Sequence, residues 1–383
     1  MLKTFKLKNY KNFKEWIKID FSNIGGYKYN EDCLTNQLIS KMIIYGRNAT
    51  GKTNLGKAIF DIKNNLYPRA FFRRSDGVYL NADTHNEFAE YIYTFKFGVD
   101  EIVYKYKKNS EMKLYDEELI LNGKKTFYYN FETKESNFDN LKYLDADTIN
   151  IERFTKAMNS SDVEDDNNQT ISFLRWLINN SALAVDSVLL KLDGFIKSMS
   201  MISLNSSISR VPRRMNESFY DSLANKDALK DFEDFLNIMG IECKLVIKKL
   251  PEGEHQLYFK HNKLVPFFEN ASSGTLAVTE LYRRFEVRKT ASIMYLDEFD
   301  AYYHYEMSER VIEYFKKKYP RCQVILTTHN TNLMNNRIMR PDCLFILSQK
   351  GNLTSLNNAT NRELREGHNL EKMYISGEFD KYE

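Results

Sequence analysis

The spacing of hydrophobic residues predicts that the first third of the chain is built mainly of β-strands. The segment Trp16–Phe21 alternates apolar and polar residues with the period of two expected of a half-buried strand. Further strands are predicted near the start of the chain and over Tyr91–Phe97, Ile102–Tyr106, Glu118–Leu121 and Phe127–Phe131. The dipeptide Asn122-Gly123 is typical of a tight hairpin turn between the last two. We therefore expect an antiparallel sheet in this part of the chain.

The pattern becomes helical in the middle of the chain and returns to strands after residue 240. Apolar residues recur at helical spacing over Thr170–Leu192, and Asn225–Gly240 predicts a helix that ends at its glycine. The polar stretch Met199–Pro212 is a predicted loop. The sequence has no sustained heptad pattern, so we expect no long coiled coil. We therefore divide the chain into residues 1–139, a helical insertion at 140–240, and residues 241–383.

A glycine-bounded loop stands between a predicted strand and a predicted helix. The run Gly46-Arg47-Asn48-Ala49-Thr50-Gly51-Lys52-Thr53 reads G-x-x-x-x-G-K-[ST] and is followed by Asn54, where the helix pattern begins. In such a P-loop, backbone N–H groups surround a phosphate and the helix N-terminus adds positive dipole. Lys52 is expected to reach the β- and γ-phosphates, and Thr53 to offer its hydroxyl to Mg²⁺. The sequence therefore predicts a nucleoside triphosphate site over residues 46–54.

Two later apolar strands end in residues suited to the hydrolysis of a triphosphate. The strand Ile293–Leu296 leads into Asp297 and Glu298, which is the Walker B arrangement. Its first carboxylate orders the Mg²⁺ shell and its second polarises the attacking water. A further strand leads into His329, and ligands of open α/β sheets bind at the carboxyl ends of strands. Asp297 is thus a candidate metal ligand, whereas Glu298 and His329 are candidate catalytic residues beside Lys52.

A short run of small residues precedes these strands. Ser272-Ser273-Gly274-Thr275 opens a predicted helix, where hydroxyl groups and glycine form an anion-binding N-terminus. The same run would also serve as a simple helix cap with a flexible turn. The sequence alone leaves both interpretations open.

Composition and charge narrow the class of protein. The chain has 383 residues, 43% of them hydrophobic and 28% charged, with a net charge of +3, which does not by itself indicate nucleic acid. Four scattered cysteines support neither a disulfide framework nor a zinc site, and neither a signal peptide nor a membrane-spanning segment is apparent. We therefore expect a cytoplasmic protein of two or three structural units, with no contact with a membrane.

The order of these motifs resembles that of the ABC-type ATPases. Ser272 precedes Asp297 by 25 residues and His329 follows it by 32. Among these proteins the chain is similar to the AAA15/AAA21-type ATPases related to Rad50 and to the overcoming-lysogenization-defect proteins. The segments Leu7–Phe13 and Glu363–Tyr374 support this resemblance. The run Ser272–Thr275 occupies the place of the ABC signature motif and reads Ser-Ser-Gly-Thr, where transporters have Ser-Gly-Gly-Gln. No glutamine of this chain is assigned to the Q-loop of the ABC-type ATPases.

The resemblance implies a fold, a reaction and a dimer. The fold would be an α/β P-loop ATPase of the ABC type, with a mostly parallel central sheet, an antiparallel side sheet and an inserted helical subdomain. Ser272 and Gly274 would contact the γ-phosphate of an ATP bound by a second copy, Glu298 would be the catalytic carboxylate, and His329 the switch. Lys11 would touch the nucleotide. Two chains would then close around two molecules of ATP, with Mg²⁺ as the metal.

Several functions fit this reading. Members of the family serve as ATPase subunits of bacterial anti-phage systems that control a nuclease or another toxic effector, and we favour this function. The alternatives are an ATPase of DNA repair or chromosome maintenance that acts on DNA directly, a transporter, and a scaffold that binds nucleotide without turnover. DNA stays open as a partner because basic residues cluster at Arg69/Arg73/Arg74, Lys105/Lys107/Lys108, Arg210/Arg213/Arg214, Arg283/Arg284/Arg288/Lys289 and Lys316/Lys317/Lys318.

Overall fold

The computed structural model describes residues 1–67, 79–146, 149–159, 171–203, 219–301 and 305–383. In chain order the strands are β1 (Leu2–Lys8), β2 (Ile17–Asp20), β3 (Leu34–Thr35), β4 (Leu38–Ile39), β5 (Lys41–Tyr45), β6 (Ala89–Phe97), β7 (Asp100–Lys108), β8 (Leu114–Leu121), β9 (Lys124–Asn130), β10 (Ser136–Asn137), β11 (Ser200–Ser203), β12 (Leu245–Lys249), β13 (His255–Lys260), β14 (Leu264–Pro266), β15 (Ile293–Asp297), β16 (Gln323–Thr328), β17 (Leu344–Leu347) and β18 (Leu353–Ser355).

The helices lie between and after these strands. They are α1 (Lys52–Ile59), α2 (Asp61–Leu66), α3 (Ile151–Asn159), α4 (Phe173–Asn180), α5 (Val188–Ser198), α6 (Lys226–Ile238), α7 (Phe267–Asn270), α8 (Ser273–Glu286), α9 (Tyr305–Lys318) and α10 (Leu370–Ile375). No helix among the described residues combines the length and hydrophobicity needed to cross a bilayer.

The central sheet has six strands in the order β11-β15-β16-β5-β17-β18, and all neighbours are parallel except β17 and β18. Strands β5, β15 and β16 are buried along their whole length, as expected of parallel strands covered on both faces. Because the strands are parallel, the carboxyl ends of β5, β15 and β16 meet at one edge of the sheet. This edge carries the loops that contain the predicted site.

The side sheet has seven antiparallel strands in the order β10-β9-β8-β7-β6-β1-β2. The predicted hairpin is confirmed, since Asn122 and Gly123 both adopt positive φ angles between β8 and β9. The two sheets are joined by the buried Gln323 at the start of β16. Its side chain accepts from the backbone N–H of Leu2 and donates to the carbonyl of the same residue, both at 2.8 Å. The predicted α/β fold class, with its parallel central sheet and antiparallel side sheet, is confirmed.

Buried tyrosines connect the side sheet to the helices that follow the P-loop. Tyr93 donates its hydroxyl to the carbonyl of Ala58 at 2.8 Å, and Tyr106 donates to Asp61 Oδ2 at 2.8 Å. Lys108 pairs with the same buried carboxylate at 2.7 Å. Buried Tyr side chains combine a large apolar area with one polar atom that needs a partner. Part of the aromatic richness of this chain is therefore structural.

The segment between residues 140 and 240 is not helical throughout. The predicted helical pattern appears as α4, α5 and α6. The prediction of a loop from Met199 is wrong at its start, because Ser200–Ser203 forms β11 and pairs in parallel with β15. A strand of four residues flanked by polar residues gives little alternation, and it is the pairing with β15 that stabilises it. The predicted division of the chain at 139/140 and 240/241 stays a prediction.

Candidate nucleotide-binding site

The P-loop connects the end of β5 to the start of α1. Gly51 has a φ of 101° and Ala49 a φ of 66°, so the loop turns through the left-handed region twice before the helix begins. A Cβ on Gly46 would lie 2.7 Å from Oγ1 of Thr50. Gly51 is thus favoured by its positive φ angle and Gly46 by the lack of space for a Cβ, in agreement with the glycines of the motif.

Lys52 folds back over the loop that precedes it. Its Nζ donates to the carbonyl of Gly46 at 2.6 Å and to that of Arg47 at 3.0 Å. Burial lowers the pKa of Lys52, although the charges of Glu298 and Asp297 act in the opposite direction. A phosphate in this loop would offer the ammonium group stronger acceptors than these two carbonyls. The lysine therefore stands where its predicted role requires it.

Asp297, at the end of β15, holds together residues from three elements. Thr53 donates its hydroxyl to Asp297 Oδ2 at 2.6 Å, and Thr327 donates to Oδ1 at 3.0 Å. The aspartate is buried, with 3% of its surface exposed. A buried carboxylate is tolerated when hydrogen bonds satisfy it, and here both oxygens have a partner. The structure thus brings the predicted metal ligands Thr53 and Asp297 into contact.

Glu298 follows directly in a conformation that few non-glycine residues adopt. Its φ is 49°, and its backbone N–H donates to Thr327 Oγ1 at 2.8 Å. A left-handed residue outside glycine is a source of local strain, and such residues often occur at functional sites. Thr327 therefore fixes both carboxylate residues of the Walker B motif, a role that sequence reasoning missed.

His329 lies one residue beyond β16 and is exposed. The residue before it, Thr328, donates its hydroxyl to Asp300 Oδ2 at 2.7 Å. Parallel pairing of β15, β16 and β5 brings His329 to the same edge of the sheet as Asp297 and the P-loop. No hydrogen bond joins His329 to the P-loop within the described ranges.

Ser272 and Gly274 lie at the N-terminus of α8 and are exposed. Ser272 is the helix cap, and its Oγ accepts from the backbone N–H of Thr275 at 3.1 Å. A Cβ on Gly274 would meet only Ser272 Oγ, at 3.8 Å. In the part of the chain that the structure describes, no hydrogen bond links either residue to the P-loop. The structure does not bring the signature into the chain's own nucleotide site.

Lys11 and its neighbour Asn12 lie beside the P-loop helix. Burial, and then the charge of Lys57 on α1, lower the pKa of Lys11. Asn12 accepts from the side chain of Asn54 and donates to the carbonyl of Ala49 at 3.5 Å. Sequence reasoning named Lys11 and Asn54 but missed Asn12, although the run Leu7–Phe13 that contains it was noted. These contacts place a positively charged, amide-rich surface against the loop.

The end of the chain also contacts the P-loop, which no sequence signal revealed. Arg47 forms an ion pair with Glu383. Gly46, Arg47 and Thr50 share a cleft of about 290 Å³ with Tyr374 and Asp380 as well as Glu383. The C-terminal segment therefore forms one wall beside the predicted site.

The basic clusters in the described residues are largely neutralised by carboxylates. The ion pairs are Lys105–Glu118, Lys107–Asp116, Lys108–Asp61, Arg283–Glu280, Arg284–Glu280, Lys289–Glu286, Lys316–Glu313 and Lys318–Asp231. The predicted clusters at Arg69/Arg73/Arg74 and Arg210/Arg213/Arg214 lie outside the described residues. Most basic residues of the described clusters therefore have a carboxylate partner, which reduces the positive charge that they would present to a nucleic acid backbone.

A model of one protein family matches most of the chain. The family model described as "AAA domain, putative AbiEii toxin, Type IV TA system" matches residues 41–335, which include the P-loop, Asp297 and His329. No curated protein sequence matches the chain.

Among solved structures the chain is similar to head domains of SMC proteins. It is 16% identical to the SMC head domain from Thermotoga maritima, covering 90% of this chain and 94% of that one with a TM-score of 0.44. It is 15% identical to an Smc head domain with an extended coiled coil bound to the C-terminal domain of ScpA, derived from Pyrococcus furiosus, covering 93% and 96% with a TM-score of 0.45.

Proposed function

The chain belongs to the AAA_21 family of ABC-type ATPases, and from this membership we propose that it hydrolyses ATP to ADP and phosphate between two copies of itself. We further propose that this cycle switches a separate effector, a nuclease or toxin, in bacterial anti-phage defence. The observation that carries the proposal is Asp297, whose two carboxylate oxygens join the P-loop threonine to the strand that leads into His329.

The residues at the end of β15 fit a magnesium ion. Thr53 Oγ1 and Asp297 Oδ2 lie 2.6 Å apart, so that a hydroxyl and a carboxylate oxygen face the same point. Mg²⁺ prefers such hard oxygen ligands and commonly binds through one or two protein groups, with waters and phosphates completing its shell. Bound there, Mg²⁺ would neutralise charge on the β- and γ-phosphates of the substrate.

The protein's own groups supply the remaining functions. Backbone N–H groups of residues 46–53 bind the phosphates, and Lys52 exchanges its loop carbonyls for phosphate oxygens. Glu298, held by Thr327 in its left-handed conformation, accepts a proton from the attacking water. His329 donates to the γ-phosphate at the same sheet edge, and Lys11 and Asn12, which lie beside the P-loop and α1, contact the nucleotide.

The second copy completes the site. Ser272 and Gly274 are exposed and make no hydrogen bond to the P-loop within the described residues. The backbone N–H of Thr275 is capped by Ser272, so the N–H groups of Ser273 and Gly274 at the start of α8 are the ones that suit an anion. We propose that they bind the γ-phosphate of an ATP held by the partner chain. Hydrolysis then removes the group that joins the two copies, which makes dimerisation depend on ATP.

Control of an effector draws its support from the family description, which names a putative toxin and a type IV toxin–antitoxin system. The alternative, an ATPase that acts directly on DNA in repair or chromosome maintenance, is less well supported. The described helices extend to at most 14 residues, as in α8 and α9, so they contain no long coiled coil. Most residues of the described basic clusters are moreover paired with carboxylates.

Phosphate release from wild type and from Glu298→Gln tests the proposed reaction. Loss of a general base lowers kcat by about 10²–10⁴-fold, while ATP binding should persist because the P-loop is unchanged. Cells that carry the gene with its neighbours should lose phage protection with the same substitution. An unchanged rate of phosphate release would remove Glu298 from its role. Salt-dependent binding of duplex DNA by the wild type, with no effect on infection, would favour the repair alternative.

A further inference from the structure

The two threonines that end β16 have separate hydrogen-bond partners. Thr327 serves Asp297 and Glu298, as described above. Thr328 donates its hydroxyl to Asp300 Oδ2 at 2.7 Å, and the same hydroxyl accepts from the backbone N–H of Asn330 at 2.8 Å. The hydroxyl oxygen of Thr328 therefore connects Asn330, on the other side of His329, and the carboxylate of Asp300.

We propose that Thr328 and Asp300 form a positioning pair that fixes the backbone around His329 and thereby aims its imidazole at the γ-phosphate. This inference rests on the proposed role of His329. Asp300 lies two residues after Glu298 in the chain. The pair consequently links the turn that carries the proposed general base to the segment that carries the proposed switch.

Burial makes this link rigid and electrostatically relevant. Thr328 is fully buried and Asp300 is 7% exposed, whereas His329 itself is exposed. An exposed side chain has no packing of its own to hold it, so its direction depends on the backbone that carries it. A hydrogen bond to a charged acceptor is about twice as strong as a neutral one, which suits a support of this kind. The charge of Asp300 also acts on Lys52, where it opposes the lowering of the pKa by burial.

Matched substitutions separate the hydroxyl from the volume of the side chain. Thr328→Val removes the hydroxyl at nearly constant volume, and Thr328→Ser keeps it. Asp300→Ala removes the acceptor, and Asp300→Asn keeps an acceptor oxygen without the charge.

We expect Thr328→Val and Asp300→Ala each to lower kcat for ATP by about tenfold or more, since small misplacements of a reacting group are costly. For Thr328→Val, KM should stay within about twofold because the lost hydroxyl contacts Asp300 and Asn330 and not the P-loop. Thr328→Ser should retain most of the rate, whereas Asp300→Asn should have an intermediate rate because its acceptor oxygen is neutral.

A double-mutant cycle with His329→Ala is the decisive experiment, carried out on the full chain with ATP and Mg²⁺. If Thr328 acts through His329, Thr328→Val causes no further loss of kcat in the His329→Ala background. An equal fractional loss in both backgrounds would overturn the positioning role while leaving the role of His329 intact. An unchanged rate for His329→Ala alone would overturn both. Thermal unfolding of each variant shows which are folded, and Asp300→Ala provides an independent second arm should Thr328→Val not fold.

Discussion

The two halves of the proposed nucleotide site are built in opposite ways. The half formed by the P-loop and β15 is completed within one chain. Lys52 is buried and hydrogen-bonded to its own loop, and Asp297 is buried and hydrogen-bonded to Thr53 and Thr327, which are distant in sequence. The half formed by Ser272 and Gly274 is exposed, and the side-chain hydrogen bonds of Ser272 in the described residues go to Thr275 of its own helix. Folding therefore fixes the first half, and we infer that association completes the second.

The largest expected effects come from placing a side chain on a glycine of each half. Gly51→Ala should reduce both ATP binding and stability, since a φ of 101° strains an alanine by about 1–2 kcal/mol. Gly274→Asp should leave the melting temperature unchanged, because the position is open and an acidic residue suits the first turn of a helix. The same substitution should lower phosphate release by about 100-fold, since a carboxylate replaces a contact to the γ-phosphate.

Thermal unfolding and single-turnover hydrolysis on both variants check this contrast. Serine at position 274 provides the matched neutral control, and it should retain more activity than aspartate. A drop in the melting temperature for Gly274→Asp as large as that for Gly51→Ala would show that both halves are fixed by the fold of one chain, contrary to the comparison.

A buried carboxylate outside both halves provides a smaller, pH-dependent effect. Glu117 on β8 accepts from Tyr104 at 2.6 Å, from Ser172 at 2.9 Å and from the backbone N–H of Phe173, and so anchors α4 to the side sheet. Burial raises its pKa from 4.5 to about 7. The folded state thus binds the proton more tightly than the unfolded state, and the free energy of unfolding should fall as pH rises from about 4.5 to 7 and then level off.

At about 1.4 kcal/mol for each pKa unit, this fall amounts to roughly 3–4 kcal/mol. Denaturant titrations between pH 4.5 and 8 should show it in the wild type and not in Glu117→Gln, which cannot ionise. ATP affinity at fixed pH should be the same in both proteins, since the hydrogen bonds of Glu117 go to Tyr104, Ser172 and Phe173 rather than to the P-loop. A pH slope that survives the substitution would assign the titration to another group.

The smallest effect is expected at the exposed contact between the P-loop and the C-terminal segment. The Arg47 side chain is 66% exposed, and exposed ion pairs contribute about 0–1 kcal/mol. Glu383→Gln should therefore change the melting temperature little and shift the Kd for ATP by less than about fivefold. Isothermal titration at low and high salt measures the shift. A change larger than tenfold would make the C-terminal segment part of the closed half.

The sequence predicted the features that depend on neighbouring residues, but it did not predict the contacts between residues far apart in the chain. The P-loop, the Asp297-Glu298 pair and the Asn122-Gly123 turn depend on neighbouring residues. The structure has the first between a strand and a helix, the second at the end of a strand and the third in a hairpin, as predicted, while the roles of the site residues stay predictions. The support of Asp297 by Thr53 joins residues 244 positions apart, and no periodicity or motif reports such a contact. Thr327 and Thr328 look alike in the sequence, and only the registers of β15 and β16 give them different partners.

Strand β11 and the C-terminal segment likewise depend on contacts between residues far apart in the chain, which the sequence does not predict. Ser200–Ser203 has no strand pattern of its own, and pairing with β15 decides its conformation. Arg47 was identified as a P-loop residue, but its pairing with Glu383 depends on the path of the whole chain.

The central claim, that a γ-phosphate held by one copy lies against Ser272 and Gly274 of the other, is tested most directly by photocrosslinking in mixed preparations. A Lys52→Ala chain with an intact signature is mixed with a Glu298→Gln chain that carries Ser272→Arg, and an ATP analogue with a photoreactive γ-phosphate is added. The account predicts that the Lys52→Ala chain is labelled near Ser272 in the mixture and not when it is alone. Label confined to the chain with the intact P-loop, in every mixture, would contradict the account.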